Sequence, residues 1–259
     1  MHIVVCVKQV LAPESELTPS PGGDRIVAAG AEEYRLSRYD ACALETALRI
    51  RESVGETTVE AITVGPPPAG ESLRRALGMG TDRATHILTD ELAWDPVATA
   101  KALAAALADA GPDLILAGAM SEDLMQGIVG PALAAHLDLP CATAVVALET
   151  APDRRRVTVT EEMEHGERRI VALDLPALVT VQTGIHPPRY PSLSCLLRAR
   201  RQPVREIAPV GTVGTLRVTG LAPPVRTRQG RVLEGDAAEK ARRLTSILKQ
   251  RGFLAGAGP

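Results

Sequence analysis

The segment ESLRRALGMGTDRATHIL, from Glu71 to Leu88, constrains the fold of this chain more than any other stretch. Leu73, Ala76, Leu77 and Met79 recur at helical spacing while Arg74 and Arg75 point elsewhere. Gly78 with Gly80 is read as the helix stop, where positive φ is needed. A strand through Thr85 to Leu88 follows at once. Helix, glycine stop and strand in immediate succession are one αβ step of a parallel sheet.

The same alternation runs through the first half of the chain. His2 to Val7 is a near-continuous apolar run of the kind buried on both faces of a sheet, and it ends at Lys8. Residues 12 to 30, dense in proline and glycine, predict a long loop or hairpin. A helix is expected over about Asp40 to Arg51, with Ala43, Leu44, Ala47 and Ile50 on one face and Gly55 closing it, and then a strand over Thr57 to Val64. Asp95 suits a cap and Pro96 the first helical position, while Val97, Ala100, Ala104 and Leu107 form the stripe of a helix that Gly111-Pro112 stops after about Ala110. Asp113 to Ala117 is another buried strand, and GAMSEDLMQGIVGPALAAHLDLP then supplies a loop and a helix. The fold class expected is α/β, a parallel sheet with helices on both faces.

Past residue 141 the texture changes. Ala142 to Leu148, Arg155 to Glu161, Arg169 to Leu173 and Ala177 to Val181 read as strands of a sheet extension or meander. Gly184 to Pro191 is a proline-rich loop, followed by a basic cluster, a strand-like GTLRVTGL, Pro223-Pro224 and a last helix from about Asp236 to Gln250. Two parts are expected: a nucleotide-binding domain over residues 1–205, and an arm over 206–259 whose helix packs on a partner subunit.

Composition excludes several classes. A chain of 259 residues with 45% apolar content buries a substantial core, so a soluble, folded protein is expected. No apolar run approaches the roughly 20 residues of a membrane helix. MHIVVCVKQV has neither a basic leader nor a cleavage site, so the cytoplasm is the compartment expected. Cys6, Cys42, Cys141 and Cys195 are far apart and are read as packing residues, not as a zinc site or disulfide framework. A net charge of −2 with one Trp, three Tyr and one Phe argues against nucleic acid.

Gly118 to Gly130 is the main candidate ligand loop, because it leaves a buried strand and opens a helix at the carboxyl edge of the sheet. Gly127 and Gly130 keep bulk away from the helix start, which leaves the N–H groups of Gly127, Ile128 and Val129 to face a phosphate. The alternative reading is that these glycines only allow a tight turn and close helix-to-sheet packing, without a ligand. No GxxxxGK[ST] is present, and Gly78-Met79-Gly80 ends a helix instead of opening one, so a P-loop and a common NAD site are excluded. His2, His86, His136, His165 and His186 are scattered, and Ser121 and Ser192 lack a GxSxG setting. Glu161, Glu162 and Glu164 read as a solvated turn. Without an acid, base, nucleophile or metal set, the expectation is a protein that binds a cofactor but does not transform a substrate alone. Arg198, Arg200, Arg201 and Arg205, beyond a proline-rich loop that carries Leu193, read either as a solvated charged face or as a docking site with an apolar anchor and electrostatic steering toward an acidic partner.

Six segments, in order along the chain, give it a family resemblance. The opening segment is similar to ETLRxALAMGADRAIHV, YDACALETALRI to NPxDExAVEEAxRL, and PPRYPSLSCLLRARR to PRYxTLPNIMKAKKK. IVVCVKQV resembles a first strand, and GAMSEDLMQGIVGPALAAHLDLP takes the place of GKQAIDDDxxQTGxMLAxxLxxP without a gap. VTVTEEMEHGERRIVALDLPALVTV is similar to a late signature of the same family. The chain thereby resembles the β subunit of electron transfer flavoproteins, a family that includes FixA, over about residues 1 to 205.

The resemblance implies a Rossmann-like, adenine nucleotide alpha hydrolase-like domain that forms a heterodimer with an α subunit. It implies FAD shared with α near the interface, and AMP or a second FAD in this chain. The nucleotide site would draw on Cys6, Val64, Ser37, Arg38, Tyr39 and Asp40, and on Gly118, Ala119, Met120, Ser121, Asp123, Gln126, Gly127, Ile128 and Val129. Leu193 takes the place of a dehydrogenase-recognition leucine, with Arg198 and Arg201 where lysines are common. Electrons would pass from acyl-CoA or related dehydrogenases of fatty acid oxidation to a quinone oxidoreductase or other acceptor. Alternatives are a bifurcating carrier with FAD in this chain and a nucleotide sensor similar to universal stress proteins. Departures from the pattern are Ser37-Arg38 for Asn-Pro, Ala41 for an acid, Ala119-Met120 for Lys/Arg-Gln, Val129 for Thr, Pro13 for an aromatic near the flavin, and Glu161 at a basic position.

Overall fold

β1 (His2–Cys6) is a run without polar alternation, and the computed structural model places it inside a nine-stranded sheet with Ile3, Val4 and Val5 fully buried. Each such burial contributes about 1.5–3 kcal/mol, which sends an apolar run to the middle of a sheet. The structure describes residues 1–12, 14–23, 26–28, 30, 33–89, 95–210, 216, 218–222, 230 and 232–254. β2 (Gln9–Leu11), β3 (Leu17–Pro19), β4 (Ile26–Ala28) and β5 (Tyr34–Leu36) follow. β3 and β4 form the hairpin expected within residues 12–30, and β2 pairs antiparallel with β5. Pro13 lies outside the described residues.

The βα alternation then unfolds as α1 (Arg38–Val54), β6 (Thr58–Gly65), α2 (Gly70–Met79), β7 (Arg83–Leu88), α3 (Pro96–Leu107), β8 (Leu114–Gly118) and α4 (Val129–Leu137). β1 pairs in parallel with β6 on one side and β8 on the other, and β7 adds to β6. The apolar faces of α1 and α2 share one core with Ile3, Val5 and Leu116, whereas α3 and α4 share another with Val4, Ile62 and Ile115. Helices therefore cover both faces. Asp95 caps α3 by accepting the amides of Val97 and Ala98 at 2.9 and 3.1 Å. Leu103 completes the buried stripe of α3, and Val97, read as part of it, is 39% exposed because at 3.6 residues per turn it falls at the edge of the face that Leu103 and Leu107 bury.

Gly78 belongs to α2 and does not end it. The stop is Gly80, at φ +121°, where the L-residue penalty applies. A Cβ on Gly78 would lie 2.8 Å from Leu196 Cδ2, so its missing side chain serves packing.

The second half departs from a simple meander. β9 (Cys141–Thr150), β10 (Arg156–Glu162) and β11 (Arg168–Asp174) form an antiparallel extension, but β12 (Ala177–Val181) returns to the interior. It lies parallel between β8 and β9, giving the order β11-β10-β9-β12-β8-β1-β6-β7-β13. All five of its residues are buried, as an uninterrupted ALVTV requires. α5 (Leu193–Ala199) and β13 (Arg205–Ile207) complete the sequence, with β13 added parallel to β7.

Glu161 is not in a solvated turn. It is buried at the register shift between β9 and β10, accepting the Thr143 amide at 2.8 Å and Arg169 Nε at 2.7 Å. Of the cysteines read as packing residues, Cys6 and Cys42 are buried, whereas Cys141 is exposed and Cys195 half-buried. His86 is buried, with Nε2 3.0 Å from the Gly65 carbonyl oxygen.

Two compact units are distinguished, Met1–Leu221 and Ala222–Pro259. In the second, α6 (Ala237–Gln250) starts from a capping box in which Asp236 accepts the Glu239 amide at 2.8 Å and Glu239 accepts the Asp236 amide at 3.3 Å. No residue of α6 is buried. In the strand-like GTLRVTGL, Gly214, Thr215 and Arg217 lie outside the described residues, and 218–221 adopt no strand. Among the described residues no helix is long and apolar enough to cross a membrane.

Candidate functional site

From β1 the chain winds outward through β6 and β7, then crosses to β8 on the opposite side of β1. The strand order reverses between β1 and β8, and such a reversal opens a crevice at the carboxyl ends of the strands. A cleft of about 750 Å³, open mouth included, occupies that place. Cys6 to Lys8 at the end of β1, Ile62 to Val64 of β6 and Gly118 at the end of β8 form its floor. Pro96, Thr99 and Leu103 of α3 and the loop before α4 form its walls.

Asp40, in the first turn of α1, holds this floor together. Its Oδ2 accepts the Lys8 amide at 2.8 Å and its Oδ1 the Gly118 amide at 3.0 Å, so one carboxyl spans the ends of β1 and β8. The residue is only 7% exposed. Burial pushes its pKa up from 3.8 to about 7, against the opposing pull of those two amides and of Lys8. Ser37, fully buried, lies beside the same carboxyl. Burial, with the Asp40 charge, also lifts the Cys6 thiol to about 12, so it is a neutral apolar wall at physiological pH. A Cβ on Gly118 would collide with Asp40 Oδ1 and lie 2.7 Å from Tyr39 Cβ, which explains a glycine at that strand end.

The loop from Ala119 to Ile128 is held from both ends. The Ala119 amide donates to Val181 of β12 at 2.9 Å, the Ser121 amide to Gln126 at 3.0 Å and the Met125 amide to Ser121 at 2.8 Å. Met125 takes φ +53° at the tip. Glu122 accepts Arg35 Nη2 and Arg38 Nε, both at 2.6 Å, and Asp123 accepts Lys8 Nζ at 2.8 Å. No hydrogen bond among the described residues takes the amides of Gly127, Ile128 and Val129, which lie at the positive end of α4. Gly130 packs so closely on β12 that a Cβ there would collide with Thr180 Cγ2. Main-chain donors beside the apolar walls of Ile62, Val64 and Leu103 suit a nucleoside phosphate.

The structure divides the residues named from the sequence. Cys6, Asp40, Val64, Gly118, Met120, Ser121, Gln126, Gly127 and Val129 line the cleft. Ile128 lies beside them at the start of α4, Ala119 serves the β8–β12 junction, and Asp123 turns to Lys8. Arg38 and Tyr39 face a second groove, of about 1900 Å³ with its open solvent, between β5, α1, α2 and the 183–190 loop. Tyr34, Tyr190, Arg75 and Arg200 line that groove too. Sequence reasoning missed Lys8, Thr63 and Leu103 of the cleft and the Glu122 latch. The apolar run ending in Lys8 was the available signal for the first. Leu193 is 72% exposed at the start of α5, Arg198 Nη2 donates to Cys195 Sγ at 3.3 Å, and Arg201 is exposed. Among the described residues no three His, Cys, Asp or Glu side chains gather as a metal site.

A doubly wound sheet with a cleft at its reversal point defines an α/β protein of the ligand-binding class. Comparison with known proteins sharpens this class. A family model described as "Electron transfer flavoprotein domain" matches residues 25–210, and the chain belongs to that family. It is 30% identical to the electron transfer flavoprotein subunit beta of Methylophilus methylotrophus, with 96% of this chain and 98% of that one covered. It is 32% identical to the subunit of the same name from Bacillus subtilis, over 96% and 98%. Protein FixA of Sinorhizobium fredii is 35% identical, over 93% and 89%.

Proposed function

We propose that this chain is the β half of a heterodimeric electron carrier, holding an adenine nucleotide in the β1/β8 crevice and presenting a groove to the flavin of an α partner. The observation that supports the reading best is the cleft itself. Its polar end carries the amides of Gly127 and Val129, with that of Ile128 between them, none taken by a hydrogen bond among the described residues, and Ile62, Val64 and Leu103 make its sides apolar. Backbone donors survive the replacement of Thr by Val129, because every residue but proline carries the N–H. Lys8 stands at the same mouth as a cation, paired to Asp123.

The second groove combines tyrosines with arginines, chemistry that suits a planar ring and a diphosphate. We assign it to the FAD that the α subunit contributes. Bound there, FAD would supply one- and two-electron chemistry, while the residues of this chain orient it and exclude water. The Leu193 arm, with Arg198 and Arg201, receives a donor such as an acyl-CoA dehydrogenase, and α6 packs on α. A quinone oxidoreductase or similar acceptor takes the electrons onward, and the complex works in the cytoplasm.

Co-expression with the neighbouring α gene and extraction of bound nucleotide under denaturing conditions test the reading. A yellow heterodimer that releases AMP with one FAD supports it as stated. A second FAD equivalent assigns the cleft to a bifurcating carrier, and a colourless homodimer holding ATP overturns the carrier role in favour of a sensor.

A further inference from the structure

Three large apolar side chains of the segment that carries Leu193 are exposed: Tyr190 is 90% exposed, Leu193 72% and Leu197 52%. Leu193 and Leu197 are four residues apart on α5 and so share one face. Leu196 is the side chain turned to α2, and the space it fills exists because Gly78 has no Cβ. A seven-residue helix in water has little stability of its own. Its presentation must therefore come from tertiary contacts.

Three such contacts converge on it. Arg189, just before Tyr190, donates from Nε to Glu45 Oε2 at 2.8 Å, from Nη2 to Glu45 Oε1 at 3.1 Å and from Nη1 to Glu52 at 2.7 Å. Glu45 is buried on α1; burial pushes its carboxyl up, but Arg189 and Arg49 outweigh that and hold it below the ordinary range. At the other end of the arm, Arg74 of α2 donates to the Ala199 carbonyl at 2.9 Å and to that of Gln202, occupying acceptors at the end of α5. Leu196 in the Gly78 notch fixes the middle. Arg75, next on α2, lies 5.8 Å from the Tyr190 ring centroid.

We propose that Arg189, Arg74 and the Gly78–Leu196 notch are positioning elements that preorganise the Tyr190–Leu193–Leu197 ridge for the electron donor. The proposal rests on the docking reading of Leu193 above. None of the three needs to touch the partner. They lower the ordering cost that a loose proline-rich arm would otherwise meet on association. They also give GMG a purpose beyond stopping a helix: Gly80 stops α2, and Gly78 seats the ridge.

The test uses the flavin-loaded heterodimer, with an acyl-CoA dehydrogenase reduced by its thioester substrate as the probe and the heterodimer as varied acceptor. Arg189→Met and Leu196→Ala are expected to raise KM about tenfold with kcat within about twofold, because only preorganisation is lost. Arg189→Lys, which keeps charge but not the fork, should fall between. Heterodimer mass should not change, and rates are normalised to the flavin content of each variant, because Arg189 and Leu196 also line the groove assigned above to FAD. If Leu193→Ala leaves KM unchanged, the docking reading itself fails. If Leu193→Ala raises KM while Arg189→Met and Leu196→Ala do not, the positioning proposal alone fails. In the Arg189→Met/Leu193→Ala double variant the loss should be little larger than for Leu193→Ala; multiplication of the two single losses overturns the proposal. Deuterium uptake over residues 187–199 in the same preparations should be faster in Arg189→Met, and equal uptake counts against it.

Discussion

Asp40 makes the cleft floor sensitive to pH, and the direction follows from its environment. Its carboxyl titrates at about 7 in the folded chain and at 3.8 in the unfolded one. Between those values the unfolded chain has released the proton that the folded chain retains. Stability therefore falls as pH rises through this window, and the loss is complete above about 7. The interval from 3.8 to about 7 corresponds to roughly 4 kcal/mol. Of this, about 3 kcal/mol falls within a practical range of about pH 5 to 8. His186, whose pKa burial lowers, acts in the opposite direction but is common to both proteins compared. Asp40→Asn cannot ionise, so its stability should lack this slope, although it loses one of the two amide acceptors and about 1–3 kcal/mol with it. Urea unfolding at several pH values, for wild type and Asp40→Asn, measures the difference. Parallel stability curves for the two proteins across that range would refute the assignment of a buried, near-neutral carboxyl to this floor.

Two further outcomes are expected. Asp95→Ala removes the acceptor of two α3 amides and should cost about 1–2 kcal/mol in urea unfolding, with an unchanged curve counting against the cap. Gly130→Ala drives a methyl into Thr180 and should destabilise by about 1–3 kcal/mol, whereas Gly30→Ala, with open space around it, is the neutral control; equal melting temperatures for the two would show that α4 does not pack on β12 as described.

Most elements were legible in the sequence because they rest on local rules. The apolar HIVVC, the Asp95-Pro96 start of α3 and the Gly80 stop each determine their structure within a turn or a strand. The β12 placement was not legible: ALVTV reads equally as the last strand of a meander, and only the competition for the position beside β8 decides it. Glu161 was misread for the same reason, since its partners Thr143 and Arg169 come from neighbouring strands. At the cleft, the glycines and the helix start were visible, but Lys8 and the Glu122 latch depend on residues about 85 to 115 positions away.

The sequence alone determined that this chain is an α/β protein with a glycine-flanked helix start after a buried strand, because periodicity, caps and turns act over a few residues. Tertiary structure decided which strand ends meet. Asp40 could be assigned to the first turn of α1 from its neighbours, but its role as the bridge between Lys8 and Gly118 exists only once β1 and β8 lie side by side. Likewise Gly78 reads as a helix stop until Leu196, more than a hundred residues onward, fills the space above it. Local pattern is set by the geometry of the backbone; a site is set by burial and hydrogen bonding between segments that only the folded sheet brings together.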